Sequence, residues 1–203
     1  TKLSQSAATY TNTTIWNNTS PTNSVFTVGN DVSVNGSGDT YIAYCWSEVA
    51  GFSKFGSYTG NGQSTNDGGK VIDVGFSPKF VMVKRTDNSG NWMIFDAPRN
   101  ASQVGSNAGK TPYLRPNLAN GEDETGTQCT FSSTGFTLGS LNDVNASGGT
   151  YIYAAFAANP GNDWTVNNIS SGIDLNPTAK QNFDVVTYSG TGSSQSISSL
   201  AFQ

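Results

Sequence analysis

A chain of 203 residues with net charge −4 and no histidine has neither the cationic surface of a nucleic-acid binder nor the commonest general base and metal ligand. Ser-His-Asp and Cys-His mechanisms are excluded within it. Hydrophobic residues make up 35% and charged residues 12%, with 23 Gly and 7 Pro, a composition that favours turns and short strands over amphipathic helices, and no apolar run approaches the roughly 20 residues of a membrane-spanning helix.

The apolar residues fall into short runs bounded by Gly, Asn, Asp or Pro. They predict strands at Ser24–Val28, Thr40–Trp46, Lys54–Tyr58, Lys70–Val74, Phe80–Arg85, Trp92–Asp96, Gly135–Leu138, Thr150–Ala157 and Phe183–Tyr188. Turn signals lie between them at Asn35-Gly36, Asn61-Gly62, Asp67-Gly68, Ser89-Gly90, Asn120-Gly121 and Ser147-Gly148, each offering a residue that accepts positive φ at little cost. Along Thr40–Trp46, alternation sends Tyr41, Ala43 and Cys45 to one face and Ile42, Tyr44 and Trp46 to the other. Both faces are apolar or aromatic, which suits a strand inside a sandwich, or one whose outer face meets another subunit. Phe80–Arg85 and Trp92–Asp96 read as a hairpin, while 101–110 and 118–127 read as long loops and 159–180 as a connection.

The chain also contains parts of itself twice. Gly38-Asp39-Thr40-Tyr41-Ile42 returns 110 residues later as Gly148-Gly149-Thr150-Tyr151-Ile152, and Tyr58-Thr59-Gly60-Asn61-Gly62 returns 130 residues later as Tyr188-Ser189-Gly190-Thr191-Gly192. In chain order these elements run end, start, end, start. The expected fold is therefore all-β, an antiparallel β-sandwich of jelly-roll or lectin-like kind with little or no helix, built from a unit of about 110 to 130 residues. Residues 1–50 read as the end of one unit, 51–160 as a complete unit, and 161–203 as a linker and the start of the next. The two terminal parts are expected to complement each other, within one subunit or between neighbours.

The segment Tyr41 to Gly62, the run Gly75-Phe76-Ser77-Pro78-Lys79-Phe80-Val81-Met82-Val83-Lys84-Arg85, the arm Asn91 to Asp96 and the run Gly149 to Ala157 together resemble a repeat in large virion proteins of marine and cyanobacterial tailed phages, which are tail-fibre-like or uncharacterised. The resemblance covers most of residues 38–203. It implies a non-enzymatic component of a virion surface, extracellular, in a tail fibre, spike or capsid decoration. Its expected partners are further copies of itself, as a trimer or larger assembly, other virion proteins, and host surface polysaccharide. It brings no catalytic residues. A carbohydrate-binding domain for host attachment and an extracellular adhesin or filament subunit are the alternatives.

Among individual residues, Tyr113 in Lys110-Thr111-Pro112-Tyr113-Leu114-Arg115 is the first choice for ligand binding: an aromatic in an expected exposed loop, with Lys110, Arg115 and, further off, Arg99 as cationic neighbours. Trp46 and Trp92 lie within strands and are expected in the core. Glu48, Asp73, Asp87, Asp96 and the run Glu122-Asp123-Glu124 show no spacing that singles out a glycosidase pair. No cofactor is expected; Glu122-Asp123-Glu124 offers oxygen ligands to a structural calcium, without the one-in-two spacing of a calcium loop. Cys45 and Cys129 are compatible with a disulfide and with two free thiols, the latter favoured. Residues 79–115 hold six of the ten basic residues and two acidic ones, and 116–203 hold one basic and seven acidic. Such a band either meets an acidic neighbour or disperses among acids on folding, and dispersal is favoured.

Overall fold

The computed structural model describes residues 3–9, 12–22, 24–101, 110–123, 126–158 and 183–198; most of the loop at 101–110 and of the connection at 159–180 lies outside them. The fold is all-β, with antiparallel sheets and four one-turn helices. In chain order the elements are α1 (Thr13–Trp16), β1 (Phe26–Val28), α2 (Val32–Asn35), β2 (Thr40–Trp46), β3 (Ser53–Thr59), β4 (Lys70–Asp73), β5 (Pro78–Arg85), β6 (Trp92–Asp96), α3 (Ala97–Ala101), β7 (Cys129–Phe131), β8 (Gly135–Leu138), α4 (Asn142–Asn145), β9 (Thr150–Ala157), β10 (Phe183–Ser189) and β11 (Gln195–Ile197). The chain forms two compact units: unit 1 from Thr1–Tyr10 and Val49–Thr165, unit 2 from Thr11–Glu48 and Val166–Gln203.

Unit 1 has a four-stranded sheet in the order β3-β9-β5-β6 and a three-stranded sheet in the order β4-β8-β7. The expected hairpin forms, with Val81 opposite Phe95 and Val83 opposite Met93. Strand alternation puts these four side chains on one face, and none has any exposed surface. The second sheet supplies Ile72, Cys129, Phe136 and Leu138 to the same cluster, which Val144 and Tyr151 complete. Each such apolar side chain contributes about 1.5 to 3 kcal/mol on burial. Lys84 is fully buried too, because its ammonium donates to Ser6 O at 3.3 Å and to Arg85 O at 2.6 Å. With Thr9 N donating to Thr86 O and Gly90 N to Ser6 O, it ties residues 6–9 to the end of the β5–β6 hairpin.

Unit 2 joins segments from opposite ends of the chain. β10 pairs antiparallel with β2, from Phe183 opposite Trp46 to Ser189 opposite Thr40, and β11 pairs antiparallel with β1. Terminal complementation thus takes place within one chain. Phe26, Val28, Val186 and Ile197 form its small core.

One polar cluster organises each unit. In unit 1, Asn145 is completely buried; its amide nitrogen donates to Asn61 Oδ1 (2.8 Å), Gln63 O (3.1 Å) and Leu138 O (3.4 Å), and its oxygen accepts from Asn61 N (2.8 Å). In unit 2, Asn35 is equally buried; its nitrogen donates to Gly29 O (2.6 Å) and Ser193 O (2.5 Å), and its oxygen accepts from Thr191 N (2.8 Å) and Gln195 Nε2 (2.7 Å). Tyr151 O–H donates to Asn142 O and accepts from Ala146 N, and Tyr41 does the same with Val32 O and Gly36 N. Tyr58 and Tyr188 donate to Val144 O and Val34 O, both at 2.6 Å, and stack on Tyr151 and Tyr41 with centroids 4.9 Å and 5.3 Å apart. Gly60 and Gly190 are needed for the close approach that follows: a Cβ would sit 2.2 Å from Ala146 O in one unit and 2.0 Å from Gly36 O in the other.

A buried amide that loses its side chain leaves its partners without hydrogen bonds, at a cost of about 1 to 3 kcal/mol in total. Asn145→Ala is expected to destabilise unit 1, and Asn35→Ala unit 2, each within that range. Urea unfolding followed by segment-resolved hydrogen exchange checks this, with the midpoint falling in the substituted unit and staying put in the other.

Candidate functional site

The cationic residues singled out in the sequence all lie in unit 1, and there the structure corrects the exposure expected of Tyr113. It is 1% exposed, a core residue whose ring lies 5.9 Å from that of Phe95. Backbone pairing of Tyr113 with Asp123 and of Leu114 with Ile94 carries the segment inward, an effect of residues distant in sequence. Its aromatic face is covered by Arg115, whose guanidinium sits 4.9 Å from the ring centroid and donates to the Tyr113 hydroxyl at 3.2 Å. That ring therefore offers no exposed stacking surface.

The three arginines of the basic band pair with carboxylates inside their own unit. Arg115 meets Asp123 at 2.9 Å and Asp143 at 3.8 Å. Arg99 bridges Asp96 and Glu122, the latter at 2.6 Å, and Arg85 holds both oxygens of Asp87, at 2.9 and 3.1 Å. Lys110 is half-buried beside the covered Thr111 and Pro112. The structure therefore brings Tyr113 and Arg115 together, and sets Arg99 in a separate ion-pair cluster. Asp87, Asp96, Glu122 and Asp123, carboxylates that glycoside hydrolysis or calcium binding would require, each face an arginine; Glu124 lies outside the described residues. No group of three or more acidic or cysteine side chains converges as a metal site among the described residues.

Cys45 and Cys129 are free thiols, one in each unit. Burial pushes both thiols up from their ordinary pKa, with Asp184 adding to the effect at Cys45. Neither is poised as a thiolate at neutral pH.

A concave surface with aromatic lining belongs to unit 2. It is a groove of about 420 Å³ whose lining includes Phe26, Val28, Val34, Tyr41, Cys45 and Tyr188 together with Trp16, Ile42, Tyr44 and Trp46. On β2, Ile42, Tyr44 and Trp46 alternate with Tyr41, Ala43 and Cys45, and each of the three is more than half exposed. Trp46 was expected in the core; the covering layer that alternation alone would demand is absent among the described residues. Alternation was the signal that could have marked this surface, since it gives one short strand two apolar faces.

The Arg85 guanidinium holds the Asp87 carboxyl down to about 2, first by hydrogen bonding. Its folded pKa thus lies below the roughly 3.9 of an unfolded aspartate, so its contribution to stability is fully present above about pH 4 and is lost as the pH falls through 2. Asp87→Asn is expected to lower stability slightly at every pH above about 4, including pH 7 to 8, and to converge with the parent chain as the pH falls through 2. Thermal unfolding at pH 2 to 8 of both chains checks this; the difference is small, since Asp87 is near the surface.

No curated protein and no solved structure matches the chain. A family model described as a domain of unknown function (DUF7483) matches residues 1–160, and the chain belongs to that family.

Proposed function

We propose that this protein is a non-enzymatic structural module of a phage virion surface, in a tail fibre, spike or capsid decoration, and that units 1 and 2 are two copies of one β-sandwich repeat. The observation that carries the reading is the doubled cluster of Asn145, Tyr151 and Tyr58 against Asn35, Tyr41 and Tyr188, with matching carbonyl partners in both units. Independent selection of one buried polar arrangement twice is improbable, whereas duplication followed by stacking in an array produces it directly. The resemblance of the Tyr41 to Gly62 segment to virion repeats supplies the location.

The electrostatics support a structural role. The arginines of unit 1 are paired with carboxylates of the same unit, and the cysteines are protonated thiols, which is the arrangement of a scaffold rather than of a reacting centre. Exposed Ile42, Tyr44 and Trp46 are the residue types that form interface cores, and they favour assembly of the protein into a symmetric oligomer. Carbohydrate recognition is the weaker reading, because the side chain best suited to it, Tyr113, is enclosed.

Light scattering on the purified chain tests the proposal. The expected result is a defined multiple of the 21.3 kDa chain mass, lowered by replacing Tyr44 and Trp46 with Ser. A monomer at every concentration contradicts assembly through this face.

A further inference from the structure

We infer that the groove of unit 2 is an acceptor site for a β-hairpin of the β5–β6 type, supplied by a further copy of the repeat. The inference rests on the reading of the two units as copies, and it goes beyond it by naming what one copy lacks. β10, β11, β1, α2 and β2 of unit 2 take the places of β3, β4, β8, α4 and β9 of unit 1, as the shared hydrogen bonds and pairings require. The next neighbour of β9 in unit 1 is β5. Among the described residues, the sheet of unit 2 ends at β2.

Burial records the difference position by position. Tyr151 and Ala155 on β9 and Val144 on α4 are fully buried. Their counterparts Tyr41, Cys45 and Val34 are only half-buried, and all three line the groove. By contrast Asn35, Val28 and Phe26 are nearly as buried as Asn145, Leu138 and Phe136. Among the described residues unit 2 is therefore complete around its polar cluster and open beside Tyr41, Cys45 and Val34, where unit 1 has β5 and β6.

Unit 1 shows the chemistry of the occupant. β5 runs antiparallel to β9 with Val81 opposite Ala155 and Val83 opposite Tyr153, and both valines are fully buried. Transferred by the displacement of 110 residues, these positions fall opposite Cys45 and Ala43. Ala43 stands where unit 1 has Tyr153, which leaves extra room for the inward side chains. On the outer face Phe80 packs on Phe156, centroids 6.0 Å apart, and Trp46 is the counterpart of Phe156. A strand with valines at alternate inward positions and an outward aromatic is the segment this groove fits.

The test adds a synthetic peptide of residues 78–96 to the full chain and follows hydrogen exchange of Thr40–Trp46. The expected result is slowing of exchange in β2 by about tenfold or more at saturation, with no slowing by the same peptide carrying V81D and V83D. Because a free hairpin is costly to order, the same sequence is also joined after Gln203 through a flexible linker, which raises its effective concentration to the order of millimolar. Unchanged β2 exchange in both formats, equal protection by the V81D/V83D versions, or protection confined to unit 1 overturns the inference. If β2 is already protected without peptide because its backbone edge pairs with β2 of another copy, the acceptor assignment also fails. The assembly proposal is judged separately, since solution mass reads it without the peptide.

Discussion

Each unit depends on a completely buried asparagine at the end of a single helical turn. An amide side chain in an apolar setting is tolerated only when its donors and acceptor are satisfied, and here the satisfying groups come from turns far apart in sequence. Asn145 bonds across to Asn61 and Gln63, and Asn35 to Thr191, Ser193 and Gln195. Such a residue favours one register of the joined strands over its neighbours, since a slip would strand several buried polar groups at once. The stacked tyrosines then roof the cluster, each with its hydroxyl bonded to a carbonyl of the helical turn. In unit 2 three of the partners of Asn35 lie more than 150 residues away, so the amide also joins segments from the two ends of the chain.

Around this fixed point the two units differ in completeness, and the difference organises their surfaces. Unit 1 surrounds its cluster with seven strands, and even a lysine, Lys84, lies in the interior, where burial lowers its pKa. The three arginines of unit 1 are matched by carboxylates of the same unit. Among the described residues unit 2 has the cluster and four strands, with exposed aromatic side chains on β2.

Much of this was legible in the sequence. β2, β6, β8 and β9 have the bounds that their apolar runs predict, and the doubled Tyr-Ile and Tyr-Gly elements mark the residues that build both clusters. What was missed has physical reasons. β7 and β11 are three residues long, too short to show alternation, and the four-residue helices are too short for any helical period, although Asp31 and Asn12 cap two of them. The importance of Asn35 and Asn145 was hidden because asparagine before a turn has a sufficient local explanation. Tyr113 was misplaced since its flanking cations suggest solvent, whereas its burial comes from pairing with segments on either side of it in the sequence. Trp46 was misplaced for the opposite reason: an apolar face predicts a cover, and pattern alone does not say whether the same molecule provides it.

The central claim is that residues from both ends of the chain fold as one cooperative unit around Asn35. Hydrogen exchange of the intact chain in increasing urea tests it most directly, read separately at Phe26–Val28, Thr40–Trp46 and Phe183–Ser189. The account predicts that the three segments lose protection together, at a denaturant concentration distinct from that of β5, β6 and β9. Exchange of Phe183–Ser189 at unprotected rates while Thr40–Trp46 remains protected would contradict it.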